Sequence, residues 1–398
     1  MTFLIITLAL IFLFIIWFRI DFLLGKSKQK RLVKKIVLQP RMSNVSLFSN
    51  GKDFFDQLFV DIKEAEHHIH LLWYIYNEDS ISEQLTNLLV KKAQEGVEIR
   101  LLVDWFGAKI SKKSISKLRD AGVSFSYSNV PHFPFLFFTL NNRNHRKITI
   151  IDGNIGYIGG FNIGDEYLGR DKNLGFWRDF HLRINGDGVQ DLQTQFIYDW
   201  QLATNTQIHK KRYFPPLKEG NILLKFSPNN GAFLEEMFIQ LIEMAKKSIM
   251  IGTPYYIPGK KIQNALIQAS KRGIKVKLIV PKKSDYILIK EAAYPYFKDL
   301  LHVGIEIFEY TNGFYHAKAI VIDEFVCDIG TANFDMRSFH LNNEMNCLIY
   351  DHSFILHVIR EMQYDIMHSE QLTIEQYERR PFMHKAKEQF AKLFSELL

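Results

Sequence analysis

The sequence predicts an α/β protein made of two tandem α/β domains related by internal duplication, with the active site at their interface, preceded by one N-terminal transmembrane helix. Three observations carry this reading. The octapeptide His145-Arg146-Lys147-Ile148-Thr149-Ile150-Ile151-Asp152 returns as His316-Ala317-Lys318-Ala319-Ile320-Val321-Ile322-Asp323, so both copies read H-x-K-x4-D. Gly159 and Asn162 follow the first His at the spacing at which Gly330 and Asn333 follow the second. The stretch Phe3 to Phe18 carries no charge at all. A lone H-x-K says almost nothing, whereas a repeated His, Lys, Asp, Gly, Asn set with one internal spacing points to chemistry done by a pair of histidines.

Taken from the N-terminus, residues 1–24 form the expected transmembrane anchor, at the short end of the ~20 apolar residues that cross a bilayer. No basic segment precedes it and no small-residue cleavage site follows, which disfavours a removed signal peptide. Residues 25–44 form a basic juxtamembrane linker with Lys26, Lys28, Lys30, Arg31, Lys34, Lys35 and Arg41. Positive charge on that side places the catalytic body in the cytoplasm as a single-pass membrane protein, and suits it to anionic headgroups.

Residues 45–212 and 213–398 form the two like domains. Ala65-Glu66-His67-His68-Ile69-His70-Leu71 aligns with Ala245-Lys246-Lys247-Ser248-Ile249-Met250-Ile251, and Glu95 to Val103 with Arg272 to Val280. Ala121-Gly122-Val123 aligns with Val303-Gly304-Ile305. Apolar strand runs alternate with helical-period segments, as in Ile81 to Gln94 and Lys261 to Lys271, which argues for a largely parallel sheet with crossover helices. Cys327 and Cys347 are too few for a disulfide framework and are expected as buried thiols.

The halves differ before the first motif. The segment from Gly122 to His145 is longer than that from Gly304 to His316, and it holds Pro131-His132-Phe133-Pro134-Phe135-Leu136-Phe137-Phe138. So many aromatics in a connection suit a lip dipping into the bilayer interface, with packing against the neighbouring domain as the alternative. At the C-terminus, Phe390, Leu393, Phe394 and Leu397 make an apolar helical stripe that either closes the core or lies on the membrane.

Alternate residues of a strand share a face, so His145 points with Lys147 and His316 with Lys318, while Asp152 and Asp323 have the opposite parity. An imidazole beside an ammonium suits phosphate: the Lys neutralises non-bridging oxygens, and the imidazole attacks phosphorus or moves a proton. Two such pairs supply a nucleophile on one side of a phosphodiester and a proton donor on the other, with no metal or cofactor. Asp152-Gly153 and Asp323-Glu324 read as hairpin turns, so these aspartates are expected to hold backbone. The Asn162 and Asn333 amides are candidates to bind a phosphate oxygen. Asp179 and Glu344, heading later strands, are candidates to bond the far nitrogen of each His and fix its tautomer.

H-x-K-x4-D followed by G-x-x-N, twice in one chain, resembles the phospholipase D superfamily, over Val45 to the C-terminus. The membrane segment, the Gly160-to-Tyr167 run, Trp177-Arg178-Asp179 and the closing Ala386-to-Leu398 helix are similar to bacterial cardiolipin synthases. The resemblance implies transfer of a phosphatidyl group from one phosphatidylglycerol to another with release of glycerol. It implies a catalytic set of His145, Lys147, Asp152, His316, Lys318 and Asp323, with His145 as nucleophile and His316 as acid and base. That family usually carries two N-terminal membrane helices where this chain shows one, and Gly160 and Thr331 stand where it has Ser.

The expected partners are phosphatidylglycerol and anionic membrane lipids. Hydrolytic phospholipase D, with water as acceptor, and transfer to other alcohols use the same residues and stay open. The net charge of +7 also suits a phosphodiesterase acting on nucleic acid, but much of that charge is juxtamembrane, and no nucleic-acid partner is expected.

Overall fold

The computed structural model describes residues 1–208, 211–286 and 288–392. Its first half holds β1 (Arg41–Asn50), β2 (His68–Trp73), β3 (Glu98–Asp104), β4 (Ser124–Ser128), β5 (Ile148–Ile151), β6 (Ile155–Gly159) and β7 (Trp177–Gly186). Its second half holds β8 (Ile222–Asn230), β9 (Ser248–Gly252), β10 (Tyr256–Ile257), β11 (Lys275–Pro281), β12 (Glu306–Tyr310), β13 (Phe314–Tyr315), β14 (Ala319–Ile322), β15 (Val326–Gly330), β16 (Phe334–Asp335), β17 (Asn343–Ile349) and β18 (Ser369–Gln371).

Among the described residues one 16-stranded sheet runs through both halves. From its centre, where β1 pairs antiparallel with β8, the order runs outward as β1-β7-β6-β5-β2-β3-β4 on one side. On the other it runs as β8-β17-β15-β14-β9-β11-β12, capped by β18. The two orders match strand for strand, which is the duplication written in topology.

The expected largely parallel sheet is corrected. Along the main path only the flanks are parallel, β2-β3-β4 and β9-β11-β12, and the strands between are antiparallel; the two-residue β13 joins β7 in parallel off that path. The connections decide this: Asp152-Gly153 joins β5 to β6 directly, and a link that short permits only an antiparallel pair. Parallel neighbours are joined by helices long enough to cross over: Ser80–Gln94 between β2 and β3, and Gly259–Lys271 between β9 and β11.

Among the described residues, three large clusters fill the interior. One lies within each half, and a third joins them, bringing Ile148, Phe180 and Leu182 together with Ala317, Cys347 and Ile349. It is covered by the Val189–Thr204 helix (Leu192, Phe196) and the His352–Met367 helix (Phe354, Val358). The shared core makes the interface between the halves an interior, so the site there is rigidly held. Cys327 and Cys347 are free and buried within it.

The N-terminal helix α1 (Thr2–Leu32) is longer than the expected anchor, because nothing between Leu24 and Leu32 breaks it. One window of it is long and apolar enough to cross a membrane, and that window is unburied. The Phe-rich segment is neither a free loop nor a packing against the second domain alone. It forms a short helix, Leu136–Asn141, against α1: the Phe137 ring lies 4.5 Å from Phe18, and Phe138 packs with Phe22 and Leu341. Phe133 remains 74% exposed, so the tip is free to meet lipid. In the C-terminal helix (Phe382–Lys392) Phe390 is half exposed; Leu393, Phe394 and Leu397 of the predicted stripe lie outside the described residues.

Candidate active site

Each H-x-K tripeptide precedes its strand, since β5 begins at Ile148 and β14 at Ala319. Each is instead pinned to the other half. The residue before His145, Asn144, bridges Asn343 at the start of β17, and the His145 N–H donates to the Asn343 carbonyl at 2.9 Å. The residue before His316, Tyr315, pairs with Arg178 in β7, and the His316 N–H donates to the Arg178 carbonyl at 2.7 Å. One step beyond each bridge, His145 therefore meets Glu344 and His316 meets Asp179.

His145 Nδ1 lies 2.9 Å from Glu344 Oε2, and His316 Nδ1 lies 2.5 Å from Asp179 Oδ2. The pairs are crossed, because each histidine takes its carboxylate from the opposite half. With Nδ1 turned to a carboxylate, Nε2 of His145 keeps its lone pair free, while Lys318 Nζ lies 3.2 Å from His316 Nε2 and 2.6 Å from its Nδ1. Lys147 and Lys318 lie within the same site, each donating to the carbonyl of its own motif histidine. Lys318 also reaches Asp179 at 3.5 Å.

The two carboxylates are housed differently, and Thr331 and Gly160 explain how. Glu344 accepts from Thr331 Oγ1 at 2.6 Å and Ser338 Oγ at 2.9 Å. Asp179 is the shorter acid and sits against Gly160, where any Cβ would overlap its carboxylate. Asp179 also accepts from the Phe180 N–H at 2.8 Å.

Burial dominates the electrostatics. It drives His145 down to about 4, with Glu344 opposing and Lys147 adding to the fall. His316 falls to about 3 by burial and the nearby Lys318, against Asp179. Burial also lowers Lys318 to about 8 and brings Lys147 well below its ordinary value. Burial opposes ionisation of Asp179 and Glu344 as well. Lys318 and His316 overcome it for Asp179, and His145 with Lys147 for Glu344, so both acids lie below the usual carboxylate range. Both imidazoles are thus neutral in the resting site.

Aromatic rings wall the site: Tyr74 lies edge-on to His145 at 4.9 Å, Trp177 is 4.8 Å from His316, and Tyr255 is 6.1 Å from His316. Tyr74 and Tyr255 escape a reading of the repeat, because Tyr74 aligns with Pro254; the signal is the dense aromatic run Trp73-Tyr74-Ile75-Tyr76 at the end of β2. Arg146, between the motif residues, is fully buried and donates to Asp199 at 2.9 Å and to the Glu344 carbonyl at 3.1 Å.

Asp152 and Asp323 stand apart from the histidine pairs. Asp152 accepts from the backbone amides of Glu66, His67 and His68, and Asp323 from those of Lys246, Lys247 and Ser248. Each ties its turn to the start of β2 or β9. Asn162 accepts from the Ile75 N–H and donates to the Tyr167 hydroxyl, and Asn333 donates to Asp335. Among the described residues no group of three or more His, Cys, Asp or Glu is placed to hold a metal ion.

A family described as "Cardiolipin synthase, PLD-like domain" matches residues 58–200 and 238–366, one match in each half. The chain is 40% identical to "Minor cardiolipin synthase ClsB" of Bacillus subtilis (strain 168), over 99% of either chain. It is 41% identical to "Cardiolipin synthase" of Geobacillus kaustophilus (strain HTA426), over 89% of this chain and 72% of that one. The fold is similar to the crystal structure of phosphatidylserine synthase from Haemophilus influenzae Rd KW20, with a TM-score of 0.69, 16% identity, and coverage of 94% of this chain and 99% of that one. Two matched halves, joined through crossed histidine–carboxylate pairs, make this chain a member of the phospholipase D-like cardiolipin synthase family.

Proposed function

We propose that this chain transfers a phosphatidyl group from one phosphatidylglycerol to another by double displacement, with His145 as nucleophile and His316 as acid and base. The carrying observation is the pair of crossed histidine–carboxylate contacts, which leave His145 Nε2 free to attack and set His316 Nε2 beside the Lys318 ammonium at 3.2 Å. His145 Nε2 attacks phosphorus as the bond to the glycerol oxygen breaks, and that oxygen takes its proton from the His316 imidazolium. His316, now neutral, removes the proton from a free hydroxyl of the second phosphatidylglycerol. The resulting oxygen attacks the phosphatidyl-histidine, forms cardiolipin and frees His145.

His316 must be protonated for the first step, although burial keeps it neutral at rest. The incoming phosphodiester supplies the difference, since one negative charge between the imidazoles favours one imidazolium. Lys147 and Lys318 offset charge on the non-bridging oxygens. Asn162 and Asn333 each keep an amide hydrogen for a phosphate oxygen, and Glu344 and Asp179 stabilise the imidazolium forms. Asp152 and Asp323 serve by holding the turns beyond the motif strands. The basic residues behind the apolar span support a cytoplasmic body at an anionic leaflet.

Purified full-length protein in phosphatidylglycerol vesicles, followed by mass spectrometry, tests this. Cardiolipin and glycerol in equal amounts are expected. Phosphatidic acid in place of cardiolipin would make water the acceptor and the protein a hydrolase.

A further inference from the structure

The N-terminal helix does more than tether the body. Its first turns are fully exposed, but Asp21 and Phe22 are only 5% and 6% exposed, and Gly25 is buried. A carboxylate buried at the end of an apolar span is costly unless something bonds it. Asp21 Oδ2 accepts the Phe138 N–H at 2.9 Å. That amide lies in the first turn of the Leu136–Asn141 helix, where no intrahelical partner exists. Around this bond, a Cβ at position 25 would overlap the Phe138 ring, and Lys28 lies 5.6 Å over the Phe135 ring. Further along, Gln29 Nε2 donates to the Asn230 carbonyl at 2.6 Å.

The short helix leads within a few residues to His145. Asn142 donates to the Leu341 carbonyl, Asn144 makes the bridge to Asn343, and His145 follows. On the flank of α1 away from this contact, Ile20, Leu23 and Leu24 are each half exposed, as lipid-facing residues are, and the exposed Phe133 begins the same aromatic segment. We propose that Asp21 is a positioning residue that fastens α1 to the Phe-rich helix, so that the mouth of the site is held against the lipid surface. The inference rests on the phosphatidyl-transfer reading, since the substrate then lies in the bilayer. It assigns Asp21 no contact with substrate.

The test uses full-length protein, with kcat and KM measured separately on phosphatidylglycerol in vesicles and on a short-chain, soluble phosphatidylglycerol. Asp21→Leu is expected to lower kcat/KM on vesicles about tenfold or more, the loss expected of a hydrogen bond to a charged group. On the soluble substrate the effect should stay small, because the Asn343 bridge still holds His145. Asp21→Asn, which keeps an acceptor oxygen, should retain most of the vesicle activity, and so should a protein with Asp21 intact whose residues 2–16 are replaced by another apolar sequence. If Asp21→Leu does not fold, a Phe18→Cys/Phe137→Cys pair, oxidised to a disulfide, provides the check: the locked protein should keep its vesicle activity. Equal losses on both substrates, an unaffected Asp21→Leu, or inactivity on locking would each overturn the proposal. Failure of the wild type on the soluble substrate while vesicles are turned over would overturn it too. Wild type inactive on both would instead count against phosphatidyl transfer itself.

Discussion

His145 and His316 each stand one residue past a backbone bridge to the opposite half, and that single-residue step sets the acid that each imidazole meets. Replacing either histidine removes a group whose acid–base or nucleophilic work contributes roughly 10²–10⁴-fold. His145→Ala and His316→Ala are therefore expected to lower turnover by at least that factor with an unchanged circular-dichroism melt. Retention of a tenth or more of the activity in either would contradict two-histidine chemistry. Gly160 and Thr331 give a finer test. Gly160→Ser must displace Asp179 and so loosens His316, whereas Thr331→Val removes one hydrogen bond to Glu344, which keeps the one from Ser338, and one acceptor of the Met345 N–H, away from both imidazoles. Steady-state kinetics should show the larger loss in Gly160→Ser; the reverse order would show that Asp179 is not held as described.

At the scale of elements, Asp152 and Asp323 fasten the turns after β5 and β14 to the amides that open β2 and β9. Asp152→Asn exchanges an acceptor oxygen for an amide group facing N–H donors, at a cost of about 1–3 kcal/mol. The expected outcome is a lower Tm, with near-normal turnover per folded molecule; a protein of full stability and no activity would place Asp152 at the substrate. The role of these aspartates was legible from strand parity, and Asp179 and Glu344 from their place at the head of repeated strands. The crossing was not legible, because it depends on how Asn144 and Tyr315 pair across the interface, and no local pattern encodes that. The largely parallel sheet fails for a related reason: apolar runs look alike in either direction, and the short Asp152-Gly153 and Asp323-Glu324 links betray the antiparallel centre. The aromatic segment announced itself by composition, but its partner, α1, lies more than a hundred residues earlier.

At the scale of the molecule, the duplication places two lysines and two carboxylates around two neutral imidazoles, so the resting site is close to balanced. An anionic phosphodiester breaks the balance and raises the histidine pKa values from about 4 and about 3. Sites whose pKa is higher when bound take up protons on binding, so affinity for a non-hydrolysable phosphodiester should strengthen as pH falls through the bound value. Calorimetry in buffers of different ionisation enthalpy should register that uptake; proton release on binding would contradict the assignment. Activity is also expected to persist in chelator, given two histidines each paired with a lysine, and a strict loss restored by one divalent ion would oppose it.

Two-histidine chemistry requires a covalent phosphatidyl-histidine formed on one half and resolved by the other. Rapid acid quench of full-length protein during turnover of phosphatidylglycerol, followed by peptide mass spectrometry, reads it directly. A phosphatidyl adduct is expected on His145 that forms with glycerol release, decays as cardiolipin appears, and is absent from His145→Ala. Cardiolipin formed with no adduct on either histidine at any time point would contradict it.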